Sequence, residues 1–285
     1  MMPDLWVQAL SLPALSVTTP YTLRMNLARL LRTSEPAEAA IISGLRSDIP
    51  ASAFLAGYQV AMRAVDSSLS PEQWACLCVS EKGLRSLSEM STCIDNGVIS
   101  GRKSHAMLAD SGMDWLYIIA RDQSDLVCRR VKAGEQGVSV LPSDPAQPVV
   151  PELAHHALEF NEAHVDSHFH CADAHNEINK PFRYHEDVMT ILAFSGWCLR
   201  MSDSASDQSK LVTVMQALAG GYRMSSKGYC LEQLNAFEAL AEELMTVAAA
   251  LPAAAADYWQ RDRRLLVMGQ KARSIIRQRL ELSAH

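Results

Sequence analysis

The feature that most constrains this chain is a change of hydrophobic period. Up to about residue 75 the apolar residues recur at helical spacing. "PYTLRMNLARLLRTS" carries Leu23, Leu27, Leu30 and Leu31, and "PASAFLAGYQVAMRAVDSS" carries Phe54, Leu55, Tyr58, Met62 and Val65. Between Ala75 and Ala172 the pattern becomes a series of short strand-forming runs. These are "ACLCVSE", "MSTCI", "GVIS", "WLYIIAR", "LVCRRV", "GVSVL" and "HHALEFNEAHV", parted by Gly, Asp, Asn, Ser and Pro. "DNG" at 95–97 is a hairpin signal. Beyond Asp173 the helical period returns in four segments, opening at "RYHEDV", "SKLVTV", "EQLNAF" and "RDRRLL", with Pro252 as a kink point in the third. The expected architecture is therefore α+β. It has N-terminal helices over 1–75, a small central β-barrel or sandwich over 76–172, and a C-terminal four-helix bundle over 173–285.

Composition narrows the function classes. A chain of 285 residues can bury a sizeable core. A net charge of −6 argues against a general phosphate-backbone binder, so no nucleic-acid partner is expected. No apolar run reaches bilayer-spanning length. "LWVQALSLPALSV" has no Lys or Arg before it, which argues against a secretory signal. Cys76, Cys78, Cys93, Cys128, Cys171, Cys198 and Cys230 are odd in number and form no CxxC pair, the pattern of reduced thiols in a cytoplasmic protein.

Two passages carry a family likeness. "VSEKGLRSLSEMSTCI" (79–94) resembles the "TEPGxGSDxxxxxTxA" passage of the acyl-CoA dehydrogenase flavoproteins. "GVISGRKSHAMLADSGMDWLYIIAR" (97–121) resembles their "GYVLNGxKxFITNGxxADxxLVxAR". Ser80-Glu81, Gly83, Ser86, Gly97, Gly101, Lys103, Asp114-Trp115 and Ala120-Arg121 match, and "LEFNEAHVDS" (158–167) is similar to the strand that closes the family's β-domain. The chain is expected to be a short member, with a reduced N-terminal domain and without the C-terminal tail.

The resemblance implies an FAD-dependent oxidoreductase acting on an acyl thioester, carried by CoA or by a carrier protein. It also implies an assembly, homo- or hetero-oligomeric, through the C-terminal helices. In such enzymes the β-domain covers one face of the flavin ring and helices supply the rest of the pocket. Val79 would offer a main-chain contact to the flavin edge and Ser80 a hydroxyl; the residues alone equally allow Ser80 to be a strand-end serine bonded to backbone. His105 stands where an aromatic residue approaches the ring, and also reads as an ordinary half-buried strand residue. Met107 stands where the family has Ser or Thr, and a thioether cannot donate a hydrogen bond. Ser86 falls near the substrate-touching serine, in a loop one residue shorter, with Arg85 at a glycine-rich position.

Glu186 is the candidate base. "EDVMTILAFSG" resembles the "ERxxxAxxxxG" of isovaleryl-type members, keeping the Glu and, ten residues on, Gly196, but placing Asp187 where Arg is usual. On a helix Glu186 shares a face with Met189, Thr190, Ala193 and Trp197, which are expected to border a ring. Glu186 and Asp187 also read as helix-start acids favoured by the macrodipole. The alternative to an enzyme is a catalytically inactive family member that serves as a subunit in a hetero-oligomer. "HVDSHFHCADAH" (164–175) holds metal-ligating residue types. The even spacing of His164, His168 and His170 instead points to one face of a strand, and no metal site is expected. The basic residues from Arg261 to Arg279 read as a solvated amphipathic helix.

Overall fold

The computed structural model describes residues 3–108, 110, 112–142 and 149–283, so Ala109 and Ser111 of the 97–121 passage lie outside the described residues. Helices α1 (Asp4–Ser11), α2 (Pro20–Thr33), α3 (Pro36–Leu45) and α4 (Pro50–Val65) come first. The last three of these begin on proline, which is preorganised for the first helical position and lacks only an N–H the helix would not use there. Eight strands follow: β1 (Ala75–Cys78), β2 (Cys93–Asp95), β3 (Val98–Met107), β4 (Trp115–Asp122), β5 (Asp125–Lys132), β6 (Val138–Val140), β7 (His155–His164) and β8 (His170–Cys171). A π-helical turn at His175–Asn179 leads into α5 (Lys180–Met201), then α6 (Ala205–Gly221), α7 (Leu231–Ala248), α8 (Ala253–Asp262), α9 (Arg264–Met268) and α10 (Gln270–Ser283).

The chain divides into two compact units. One gathers the helices from both ends, up to Ala64 and from Arg183 onward, together with a short stretch ending at Val150; the other spans the rest of Val65 to Phe182. The β-rich centre is an eight-stranded sheet among the described residues, in the order β6-β7-β3-β2-β4-β5-β8, with β1 paired to β4. β1 joins β4 in parallel, with Ala75 opposite Trp115. The apolar run of β4 is buried over Leu116–Ala120, as a central strand requires. Asn96 and Gly97 form the two-residue turn between β2 and β3, both with positive φ (49° and 80°), which is the backbone this hairpin type demands. The 97–121 passage supplies two strands, β3 and β4, and β3 has ladder irregularities on either side of Gly101–Lys103.

In the helical unit α3 and α5 touch backbone to backbone. A Cβ on Gly44 would stand 1.9 Å from the Ala193 carbonyl oxygen, and one on Gly196 would stand 2.4 Å from the Ile41 carbonyl oxygen. α4 makes a similar approach at Gly57, 2.7 Å from the Met189 carbonyl. This corrects the expectation that Met189, Thr190, Ala193 and Trp197 border a ring. They are buried, and their face of α5 packs on α3 and α4. Trp197 donates from Nε1 to the Asp48 carbonyl at 3.2 Å and stacks near Trp259, so its indole is already satisfied.

The C-terminal region differs from four uninterrupted helices. The third segment breaks fully at Pro252 into α7 and α8, and the fourth divides at Gly269 into α9 and α10.

Candidate functional site

The β-unit brings Val79, Ser80, Glu81 and Lys103 together around one buried ion pair. Lys103 Nζ lies 2.9 Å from Glu81 Oε1 and 3.2 Å from the Val79 carbonyl oxygen. Glu81 also accepts from the Ser91 N–H and hydroxyl, each at 2.7 Å, and from the Thr92 N–H at 3.0 Å. Burial acts to raise the Glu81 carboxyl, but the hydrogen bonds from Thr92, Ser91 and Lys103 outweigh it and hold the group at about 2. Burial likewise pushes the Lys103 ammonium down, and Glu81 opposes the shift.

These contacts fasten the segment after β1 to β3, and Ser104 N–H completes the join by donating to the Ser80 carbonyl at 2.8 Å. The result is that Val79, Ser80 and His105 share one neighbourhood. The Ser80 side chain and His105 are both exposed. Met107 is 2 % exposed, opposite His155 in the ladder, with its thioether turned into the core. Ser86 lies on the exposed loop between β1 and β2. It caps the short 3-10 turn Leu87–Glu89 by accepting from the Ser88 N–H at 3.4 Å.

Glu186 lies in the helical unit, in the second turn of α5. It is half-buried, and no hydrogen bond or ion pair engages its carboxylate among the described residues. Burial pushes that carboxyl up to about 7, the charge of Asp187 adds to the rise, and Arg183 opposes it. Asp187 is raised as well, chiefly by burial, but it is held by partners. Arg273 Nη1 donates to it at 3.0 Å and Tyr229 Oη at 3.2 Å. The Arg273 guanidinium also donates to the Leu266 carbonyl and lies 4.6 Å from the centre of the Phe237 ring. Adjacent carboxylates on one turn thus have different fates: Asp187 is locked into an ion pair, and Glu186 is left basic and open. Arg273 is buried, so the basic C-terminal stretch is not the uniformly solvated face that its sequence implies.

Sequence reasoning missed one further cluster. Arg130 Nη1 and Tyr117 Oη both donate to Asp66 Oδ2 at 2.7 Å, and Arg130 Nε donates to Asp166 Oδ2. Ser68 fills the other Asp66 oxygen, and Arg130 lies over the Trp115 ring at 4.5 Å. These groups satisfy one another, which marks the cluster as a fastening between β4, β5 and the loops beside them. Its members lie far apart in sequence, so only the fold shows it. The histidine-rich passage is corrected too. β7 ends at His164, His168 sits in a loop 3.0 Å from Asp166, and His170 begins β8, so the three do not share a strand face. Among the described residues no group of three or more His, Cys, Asp or Glu is placed to hold a metal ion.

The exposed groups where the segment after β1 meets β3 fit the polar rim of a flavin in part. Ser80 offers a hydroxyl and His105 an imidazole, both open, whereas Met107 offers no donor.

No protein-family model and no curated protein matches the chain. Solved structures do. FkbI, for biosynthesis of the methoxymalonyl extender unit of a polyketide, superposes with TM-score 0.66 at 17% identity, covering 87% of this chain and 83% of that one. An FAD-dependent dehydrogenase gives TM-score 0.65 at 10% identity, over 97% and 90% of the two chains. Butyryl-CoA dehydrogenase from Megasphaera elsdenii gives TM-score 0.54 at 10% identity, over 88% and 77%. At such identities the likeness is one of architecture, and what it establishes is that this chain has the acyl-CoA dehydrogenase-like fold.

Proposed function

We propose that this chain is an FAD-dependent, acyl-CoA dehydrogenase-like oxidoreductase that removes hydrogens from the α and β carbons of an acyl thioester, with Glu186 as the base. The observation that carries the reading is the state of Glu186. Its carboxyl titrates near neutrality, carries no hydrogen bond and remains partly open, which is what a general base at neutral pH requires. Bound FAD would supply the acceptor for the hydride leaving the β-carbon. The chain's own residues do the rest. Glu186 takes the α-proton as the C–C bond gains its second pair, and Asp187, fixed by Arg273 and Tyr229, keeps that carboxylate basic. Ser80 and His105 would hold the cofactor's polar edge, with Val79 on the same edge, while Met107 packs beneath them in the core. Ser86 would meet the acyl carrier. The thioester is of CoA or of an acyl carrier protein, in keeping with fatty-acid chemistry.

A dimer through the C-terminal helices accounts for the exposed Val267, Met268, Ile275 and Leu282. Seven free thiols suit a reducing cytoplasm. Among the described residues no helix is long and apolar enough to cross a membrane.

The test is flavin content followed by turnover. Purified protein should show a flavin absorption band and bleach it on addition of an acyl-CoA. Protein that takes up no FAD and shows no bleaching sinks the reading. The second reading, a non-catalytic subunit, draws on the thioether at Met107, where no donor reaches outward. It expects colourless protein that co-purifies with a longer relative.

A further inference from the structure

α1, α2 and α3 line an open groove with a cavity volume of about 200 Å³. It is smaller than a drug-sized ligand site and is on the scale of a short-chain ligand. Its floor is apolar, from buried Ala9, Leu30 and Ile42, and its open walls include Leu5 and Leu12, which remain 48% and 42% exposed. Its polar groups are one-sided. Arg29 and Arg46 line it with Gln8, Thr33 and Ser34, and no Asp or Glu lines it.

The Arg29 guanidinium is exposed and has no partner among the described residues. Arg46 is held in place, its Nε donating to the Pro13 carbonyl at 2.9 Å and its Nη1 to Asn26 Oδ1 at 3.4 Å. Arg200 lies behind, donating to the carbonyls of Leu45 and Leu12 at 2.9 and 3.1 Å. Burial, then Arg200, then Arg29 lower Arg46, so the neighbouring guanidiniums are close enough to repel it. The chain has a net charge of −6, yet among the described residues no Asp or Glu lines this groove.

We propose that this groove binds an amphipathic organic anion, a carboxylate bearing an alkyl chain, with the head between Arg29 and Arg46 and the tail over Leu30 and Ile42. Charge complementarity selects the head, since a guanidinium pairs a carboxylate in two parallel hydrogen bonds. The apolar floor selects the tail. The groove is lined only by residues between Leu5 and Arg46, and neither Glu186 nor any β3 residue is among them. The proposal therefore stands without the redox reading.

Calorimetry on the full chain tests it, with octanoate, n-octanol and acetate as probes below their aggregation limits. Octanoate is expected to bind, n-octanol about tenfold more weakly or worse, and acetate not detectably. Arg29→Ala is expected to weaken octanoate about tenfold and leave n-octanol unchanged. Leu12→Ser should weaken both alkyl probes. Both positions are exposed, so the variants are expected to fold, and unchanged melting confirms it. Equal binding of octanoate and n-octanol, octanoate binding that Arg29→Ala does not alter, or no octanoate binding at millimolar concentration would each overturn the proposal.

Discussion

Lys103 and Glu81 form an ion pair at 2.9 Å with side chains 0% and 7% exposed, and this pair joins the two passages that carry the family likeness. Lys103 is thus a fastener whose ammonium also holds the Val79 carbonyl. Removing one partner of such a pair strands the other. Lys103→Met is expected to lower stability by about 3–5 kcal/mol in a urea titration, and the double change with Glu81→Gln to recover part of it.

The same pair sets an acid limit. The Glu81 carboxyl lies at about 2 in the folded chain, below its ordinary value of 4.5. A depressed acid contributes stability that is present above the unfolded value and lost as pH falls toward the folded one. Melting temperature should therefore drop between about pH 4.5 and 2, and Glu81→Gln should flatten that part of the profile.

Glu186 carries the opposite sign. Its carboxyl is raised from 4.5 to about 7, so the folded chain is relatively more stable below 4.5 and loses that stability as pH rises through 7. Glu186→Gln should melt higher than the parent at pH 8 and about equally at pH 4. If the dehydrogenase reading holds, the same variant loses about 10²–10⁴-fold in turnover, and the parent's activity rises through about pH 7 to a plateau.

Arg273 tests the other carboxylate of that turn. Arg273→Ala leaves Asp187 with only Tyr229 and should cost about 3 kcal/mol by chemical denaturation. Asp187→Asn in the same background should restore part of the loss, because no buried charge is then left unpaired.

The α3–α5 seam has no room for a methyl group at either glycine. Gly196→Ala and Gly44→Ala should each destabilise by about 3 kcal/mol, read as a lowered melting temperature, whereas Gly220→Ala, with open space around it, should be neutral or stabilising.

Much of this was legible in the residues themselves. The short strand-forming central runs announced strands, and the Asn96-Gly97 step announced its hairpin, because both signals are local. The fate of α5's face was not legible. Met189, Ala193 and Trp197 have the sizes of ring neighbours, and what assigns them to helix packing is Gly44 and Gly57, far back in the chain. Arg273 looked like a surface cation because its partner Asp187 lies 86 positions away. The candidate site divides the same way. Glu186 was visible from its spacing to Gly196, while its basicity depends on burial and on Asp187, which only the folded chain supplies.

That spacing now has a mechanical meaning. Ten helical residues span about 15 Å, so the close contact of Gly196 with α3 lies that far along α5 from the Glu186 turn. Bulk added at the seam must shift one helix against the other. A reaction that depends on where the Glu186 carboxylate sits would register the shift first.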